Sequence, residues 1–553
     1  HDASACLVVD NKIVAFAEEE RFTRKRYSYD SMPTLSTAYC LNEASLDVDD
    51  IDKIVYGWDL PKTYRMRRGK FPYTNRQILE QIFPQNLFKH TKTPKIEFMN
   101  HHLAHAASSY RLSGFEEASI LVLDGQGEDA SGTLAYAKDG EIKVLTTIPI
   151  SYSLGYMMEA ACKYISLKTS DVGKLMGLAG YGKNGNVFDI FSLNKSGYSI
   201  KGFPDDADLL GGSLDEQEKV IENWKKYFLS KFRLKTKKTT EFDLLKGTTV
   251  DKLNFDQSHK DFALSVQNTL ELVVVHLAKS LIKRTGCRNL VIAGGIGLNC
   301  TVNGKLISRG VVDELYILPA ANDAGVSIGA AVEATYQMHG YKFDRLNNIC
   351  LGPQYSNTQI KRVLDNLKIP YRETENIHKL AAKSLSKGMV VGWFQGRMEG
   401  GPRALGNRSI LANPKISGMH DVVNEIKSRE SWRPLAPSIL EDRREKFFER
   451  SSYSPFMLQN YLVKRGKRKL IPAVTHVDGS SRYQSVDKNT NSLYYNLIKE
   501  FYKKTGVPLV MNTSFNIEGE PIVCTPEQAI KTFYSSAVDC LAIGNYWITK
   551  NEK

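Results

Sequence analysis

The sequence predicts an α/β protein built as two units, the first of them internally duplicated. Three observations carry this reading. The string Asp2-Ala3-Ser4-Ala5-Cys6-Leu7 is echoed by Asp129-Ala130-Ser131-Gly132-Thr133-Leu134, and each copy runs into a turn, Asp10-Asn11 or Asp139-Gly140. Apolar strand patterns repeatedly end in glycine- or aspartate-bearing turns that open helices, as in α/β folds. Around Leu351-Gly352-Pro353 the pattern changes. The 553 residues allow two or three units, each burying its own core. The boundary is placed at that change, giving units at 1–350 and 351–553.

In chain order, residues 5–9 and 12–17 are apolar strands joined into a hairpin by Asp10-Asn11. Helical patterns cover 32–43 and 103–112, with a strand at 53–58 between them. Strand 119–123 ends in Asp124-Gly125 and precedes the second hairpin, so each half is expected to start with three antiparallel strands. Nothing precedes the first copy and no initiator Met is present, so a first strand ahead of His1 is expected to be missing. Residues 195–255, rich in Lys, Asp and Gly, read as an irregular insertion. Apolar residues at helical spacing predict a helix over 262–285, followed by strands at 289–293 and 314–318. Ala321-Asn322-Asp323-Ala324-Gly325 then turns into a helix that runs through Gln337.

Composition narrows the function classes. There is no apolar run of about eighteen residues, so no membrane span is expected. The eight cysteines form no C-x-x-C pair, which fits reduced thiols in a cytoplasm and argues against a zinc ribbon. The net charge of +13 comes partly from basic runs at 225–238 and 464–469. These read as solvated surface in preference to a nucleic-acid face, since aromatic interleaving is slight and no recognition motif accompanies them.

The chemistry begins with Asn100-His101-His102-Leu103-Ala104-His105. On a helix, His101 and His105 stack on one face and can share a metal ion; equally, one can pack while the other hydrogen-bonds. Three strand ends add polar groups: Asp124-Gly125-Gln126-Gly127, Gly294-Gly295-Ile296-Gly297-Leu298-Asn299, and Asn322-Asp323-Ala324-Gly325. Each alone could be an ordinary turn or helix cap. Together they suggest a nucleotide cleft, with glycines allowing close approach of phosphate. Two histidines plus Asp124 and Asp323 make an N₂O₂ set suited to iron, zinc or manganese.

The C-terminal third carries cations among glycine and proline. Gly400-Gly401-Pro402-Arg403-Ala404-Leu405-Gly406-Asn407-Arg408 places two arginines in a glycine-punctuated loop. Lys427, Arg429 and Arg433 lie beside Pro434 and Pro437, Arg482 follows Ser480-Ser481, and Met511-Asn512-Thr513-Ser514 supplies an amide and hydroxyls. Arginines in such loops hold phosphate or carboxylate bidentately more often than they decorate a surface.

Assembled, these strings resemble the carbamoyltransferase family that includes nodulation protein U and tobramycin O-carbamoyltransferase. The resemblance rests on His1-Asp2-Ala3-Ser4, Glu19-Glu20-Arg21-Phe22-Thr23-Arg24, HHLAHAAS, LDGQGE, GKLMGLAGYG, GGIGLNC, GGPRALGNRS and MNTSFN, and spans nearly the whole chain. Arg26 departs from the family's usual Lys. The resemblance implies an N-terminal unit similar to the tRNA threonylcarbamoyl-transfer enzyme, of the actin/hexokinase class, and a C-terminal unit of the YrdC class. It implies that ATP, with Mg2+, and carbamoyl phosphate give carbamoyl-adenylate, whose carbamoyl group passes to a hydroxyl of a small molecule. His101, His105, Asp124 and Asp323 would hold Fe(II) or another divalent metal. His1, Arg26, Lys427 and Arg433 would be catalytic. Gly125, Gly127, Gly294, Gly295, Asn299, Arg403, Arg482, Asn512 and Ser514 would bind nucleotide or adenylate. The expected partner is an alcohol acceptor, with its pocket in 195–255; a homodimer is expected, and nucleic acid or membrane is not. Two rival readings stand beside this one, a tRNA-modifying enzyme and a non-catalytic ATP-binding protein.

Overall fold

The computed structural model describes residues 2–67, 69–204, 216–235, 237–243 and 248–550. The hairpin expected at the start forms from β1 (Ser4–Val9) and β2 (Lys12–Glu18). Its turn residues Asp10 and Asn11 have φ of 48° and 61°, the left-handed values a two-residue hairpin turn needs. The second copy is β6 (Gly132–Lys138) and β7 (Glu141–Ile148), turning at Asp139 and Gly140 with φ of 52° and 85°. Both hairpins break register at the same point of the repeat, between Leu7 and Val8 and between Leu134 and Ala135. A shared turn and a shared irregularity of pairing make the repeat structural as well as textual.

In the second half, β5 (Glu117–Leu123) lies between β6 and β8 (Asn289–Ala293), in the order β9-β8-β5-β6-β7, where β9 is Glu314–Ile317. The apolar run of β5 is buried almost throughout, as a central strand covered on both faces requires. In the first half, β1 pairs only with β2, and β3 (Lys53–Tyr56) only with the parallel β4 (Lys95–Phe98), among the described residues. A groove of about 890 Å³ is lined by residues of β1 and β3 and also by His101 and Asp323.

Helices then set the site. The first, α1 (Thr34–Ala44), packs on the β1–β2 hairpin, and α2 (Leu60–Arg67) and α3 (Asn75–Ile82) lie before β4. The histidine helix α4 (His101–Tyr110) is N-capped by Asn100, whose side chain accepts from the Leu103 N–H at 3.0 Å. After β7 come α5 (Leu154–Tyr164), α6 (Val172–Ala179), α7 (Glu216–Lys231) and the long α8 (Gln257–Thr285). The last helices of this unit are α9 (Cys300–Ser308) and α10 (Val326–His339). Small residues let α10 press against α4: a Cβ at Gly329 would stand 1.8 Å from the Ala104 carbonyl oxygen.

The reading of 195–255 as irregular needs correction. The segment contains α7, and Val220, Ile221, Trp224 and Phe228 are buried at helical spacing in the main core. The lysines between them, Lys225 and Lys226, mask that spacing in the sequence. Residues 205–215, 236 and 244–247 lie outside the described residues.

The C-terminal unit is an eight-stranded mixed sheet with helices on both faces. Its elements are α11 (Asn357–Asn366), β10 (Arg372–Glu373), α12 (Ile377–Ser386), β11 (Val391–Phe394), β12 (Arg408–Ala412), α13 (Met419–Ile426) and β13 (Ala436–Leu440). There follow β14 (Gln484–Val486), α14 (Ser492–Thr505), β15 (Leu509–Ser514), α15 (Pro526–Tyr534), β16 (Cys540–Ile543) and β17 (Tyr546–Thr549). The strand order is β10-β17-β16-β11-β12-β15-β13-β14. Along β11, Val391 and Trp393 enter one core with α12 and α14, while Phe394 enters the other with α13 and α15. The Glu19–Arg24 string joins the units. Buried Arg21 pairs with Glu18 and Glu20 and donates to the Gly401 carbonyl at 2.9 Å, and Arg24 donates to the carbonyls of Pro521 and Ile522.

Candidate active site

The structure brings His101, His105, Asp124 and Asp323 together. Their ligating atoms all lie within 4.8 Å of one another. His101 Nε2 is 3.3 Å from Asp124 Oδ2 and 3.6 Å from Asp323 Oδ1; His105 Nε2 is 3.4 and 3.5 Å from the same atoms. The edge of a tetrahedron around an ion with bonds of about 2.1 Å is about 3.4 Å, so these four separations fit such an ion. The donors are orphaned without one: both ring nitrogens of buried His105 lack a hydrogen-bond partner.

Surrounding groups hold the four in place. Asp124 follows β5, and its Oδ1 accepts the Gly295 N–H at 3.0 Å. His101 Nδ1 lies 3.1 Å from the Gly57 carbonyl, and the Trp58 ring lies over its imidazole with centroids 4.3 Å apart. Glu128, which the sequence reading missed, accepts from the backbone N–H groups of Asp59 and His101 and from the Asn100 amide. A carboxylate there complements the positive end of α4. The LDGQGE string contains Glu128, but only the fold shows that it reaches back to the helix.

Electrostatics follow from burial and proximity. Burial would push the His101 imidazole down, yet Asp124 and Asp323 raise it to about 10. Burial would likewise raise Asp124, but the two histidines hold it well below the carboxylate range. His102, buried and next to cationic His101, is pushed down to about 3; its Nδ1 is 2.8 Å from Thr133 Oγ1. His102 is therefore a neutral packing partner of Gly127, where a Cβ would stand 3.1 Å from its ring. Asp2, burial of which together with Asp323 raises it to about 7, accepts from the Asn322 amide at 2.6 Å. His1 lies outside the described residues.

Several glycines and Asn299 have local tasks. Gly294 has a φ of 84°, and a Cβ there would meet the Leu123 carbonyl oxygen at 2.2 Å. A Cβ at Gly125 would stand 3.1 Å from the Tyr156 ring. Asn299 caps α9 through the Val302 N–H and exchanges amide hydrogen bonds with Gln267.

The second centre is cationic. Lys427, from the end of α13, is buried, and its Nζ is held by Ser514 O, by Asn516 O at 2.8 Å and by Asn516 Oδ1 at 2.9 Å. Burial together with Arg429, Arg433 and Arg26 pushes its ammonium well below the usual lysine range. Burial and neighbouring Arg482 and Arg433 lower Arg403 to about 9; burial and Arg433 lower Arg429 to about 9. Arg403 Nε, Arg429 Nη2 and Arg482 Nε are buried without partners. Convergent cations that depress one another and keep unused donors make a candidate anion site. Arg429 belongs to it as one of the loop cations read from the sequence, although the family resemblance assigned it no role. Arg26 arrives from the other unit, exposed and stacked on Tyr27 at 4.8 Å. Asn512 is buried, donating to Ala404 O and Ser438 Oγ, and Ser514 Oγ donates to Asn516 Oδ1.

A cavity of about 620 Å³ lies between the units, lined by Gly180, Gln267, Cys300, Tyr461, His476 and Arg482. Through Arg482 it adjoins the cations, and through Gln267 it adjoins Asn299.

Known proteins bear on this arrangement. The family described as carbamoyltransferase N-terminus matches residues 1–332, and that described as carbamoyltransferase C-terminus matches 382–550. The chain is 36% identical to nodulation protein NolNO of Sinorhizobium fredii, covering 100% of this chain and 79% of that protein. It is 29% identical to nodulation protein U of Rhizobium tropici, covering 94% and 90%. Among solved structures, HypF from T. kodakarensis overlaps 56% of this chain and 44% of its own at 16% identity and a TM-score of 0.32. P. abyssi Sua5 complexed with L-threonine overlaps 32% and 49% at 14% identity and a TM-score of 0.24. With two family matches that together span both units, and a relative matched from end to end of this chain, the protein belongs to the carbamoyltransferase family.

Proposed function

We propose that the chain is an ATP-dependent O-carbamoyltransferase in which the two units divide the work. The carrying observation is the presence in one chain of a buried cation cluster, whose Arg482 lines a cavity between the units, and of a four-ligand His/Asp site in the N-terminal unit. In the C-terminal unit, of YrdC character, carbamoyl phosphate and water give carbamate and phosphate. Carbamate oxygen then attacks the α-phosphate of ATP, forming carbamoyl-adenylate and expelling pyrophosphate. Carbamate and triphosphate repel each other, so the step needs fixed positive charge, which Lys427, Arg403, Arg429, Arg433 and Arg482 supply with Arg26. In the N-terminal unit, of actin/hexokinase character, an acceptor alcohol attacks the carbamoyl carbon and AMP leaves.

His101, His105, Asp124 and Asp323 would hold a divalent metal, which when bound supplies Lewis-acid stabilisation of developing negative charge. Gly295 orients Asp124, and Glu128 with Trp58 orients His101. His1 is the proposed base for the acceptor hydroxyl. The acceptor is a small-molecule alcohol. No helix among the described residues is long and apolar enough to cross a membrane.

Incubation with ATP and carbamoyl phosphate is expected to yield pyrophosphate and carbamoyl-adenylate. Pyrophosphate formed only from threonine and bicarbonate would instead support tRNA modification. In the same assay His101→Ala should abolish carbamoyl transfer and keep pyrophosphate release within about twofold, since His101 lies outside the cation cluster. Equal loss of both steps in folded protein would refute the division of labour.

A further inference from the structure

Helix α6 forms the seam between the two units, and Lys174 is its charged element. Its Nζ lies 3.0 Å from Glu430 Oε1, 3.3 Å from Glu518 Oε1 and 3.5 Å from Asp171 Oδ2. Asp171 belongs to its own unit; the two glutamates belong to the other. Both glutamates sit on the loops that build the anion site. Glu430 stands between Arg429 and Arg433, with its Oε2 3.7 Å from Arg433 Nη1. The Glu518 N–H donates to the Lys427 carbonyl at 3.0 Å. Lys174 is only 14% exposed, so its attachment is shielded from solvent competition.

The rest of the helix face has been cleared for the same contact. Residues 174, 177 and 181 share one side of a helical path. A Cβ at Gly177 would stand 3.2 Å from Pro434, and one at Gly180 would stand 2.1 Å from His476. Tyr181 donates from its hydroxyl to the Trp432 carbonyl at 3.2 Å. Met176, Gly177, Ala179 and Gly180 also line the 620 Å³ cavity. One short helix therefore borders the cavity, carries its inter-unit contacts, and ties down the loops bearing Lys427, Arg429 and Arg433.

We propose that Lys174 is a positioning residue that clamps the anion-binding loops onto α6, sealing the cavity so that an intermediate formed at the cations is retained for transfer. This rests on the adenylate reading of the two centres, and its test separates the two. The full-length protein is given ATP and carbamoyl phosphate, and after rapid filtration the carbamoyl-adenylate bound to protein is compared with that free in solution. Wild type is expected to retain the adenylate. Lys174→Met should raise the free fraction of the adenylate it forms roughly tenfold, because removing one partner of a buried pair destabilises the contact. Lys174→Arg should restore retention. Glu518→Gln, which leaves Lys174 paired with Glu430 and Asp171, should give an intermediate rise and serves if the Met variant does not fold. Retention unchanged in both variants overturns the clamp and leaves the adenylate reading standing. Loss of pyrophosphate formation in folded Lys174→Met together with unchanged retention in Glu518→Gln also overturns it, by placing Lys174 in the first reaction alone. No pyrophosphate from wild type would refute the underlying reading itself.

Discussion

Asp124 concentrates more of the chemistry than any neighbouring residue, because one carboxylate faces two imidazoles while its other oxygen takes the Gly295 N–H. The four candidate ligands were legible in the sequence: a four-residue histidine spacing and aspartates at strand ends carry their own local signal. Glu128 and Trp58 were not, since each gains its task only from a contact made in three dimensions. The cations show why this matters for stability. Arg403 and Arg429 fall from the ordinary 12.5 to about 9 in the folded protein. Below about pH 9 both are charged, and burial beside Arg433 and Arg482 makes that charge oppose folding; as pH rises through 9 they lose protons and that penalty is relieved. Added pyrophosphate should therefore raise the melting temperature by a few degrees at pH 7.5, where a ligand at about a hundred times its Kd contributes about 2.7 kcal/mol. At pH 10 the shift should shrink to less than half. An equal shift at both values would mean that the anion binds elsewhere.

Elements place these residues, and the α4–α10 contact is the tightest test of that placement. Gly329 lets α10 approach the Ala104 carbonyl, next to His105 and about one turn from His101. Gly329→Ala is expected to cost about 1–3 kcal/mol by overpacking and to weaken divalent-metal binding measured by calorimetry, although residue 329 touches no ligand. Metal affinity equal to wild type would show that the helix pair yields elsewhere. The hairpins were readable because Asp10-Asn11 and Asp139-Gly140 encode their own geometry. Helix α7 was not, because its buried stripe of Val220, Ile221, Trp224 and Phe228 is interrupted by lysines that point outward.

At the scale of the whole molecule, the two units share part of one core, with Leu405, Ala436, Phe456, Met457 and Leu458 buried among the residues of the N-terminal unit, and polar contacts add to it. Arg21 and Arg24 reach backbone carbonyls of Gly401, Pro521 and Ile522, and Lys174 reaches Glu430 and Glu518. The α/β class of both units could be read from alternation of strands, glycine turns and helices. Their mutual seating could not, since it depends on Gly177 and Gly180 being small where the other unit arrives.

The central place of β5 has a kinetic consequence. It is hydrogen-bonded on both sides, to β6 and to β8, whereas the two-residue β10 is an edge strand of the C-terminal sheet. Amide protons of β5 should exchange with solvent orders of magnitude later than those of β10, because a strand held on both sides opens only with its neighbours. Comparable protection of the two strands would contradict this. Asp124, directly after β5, is thereby set against the part of the molecule that opens last.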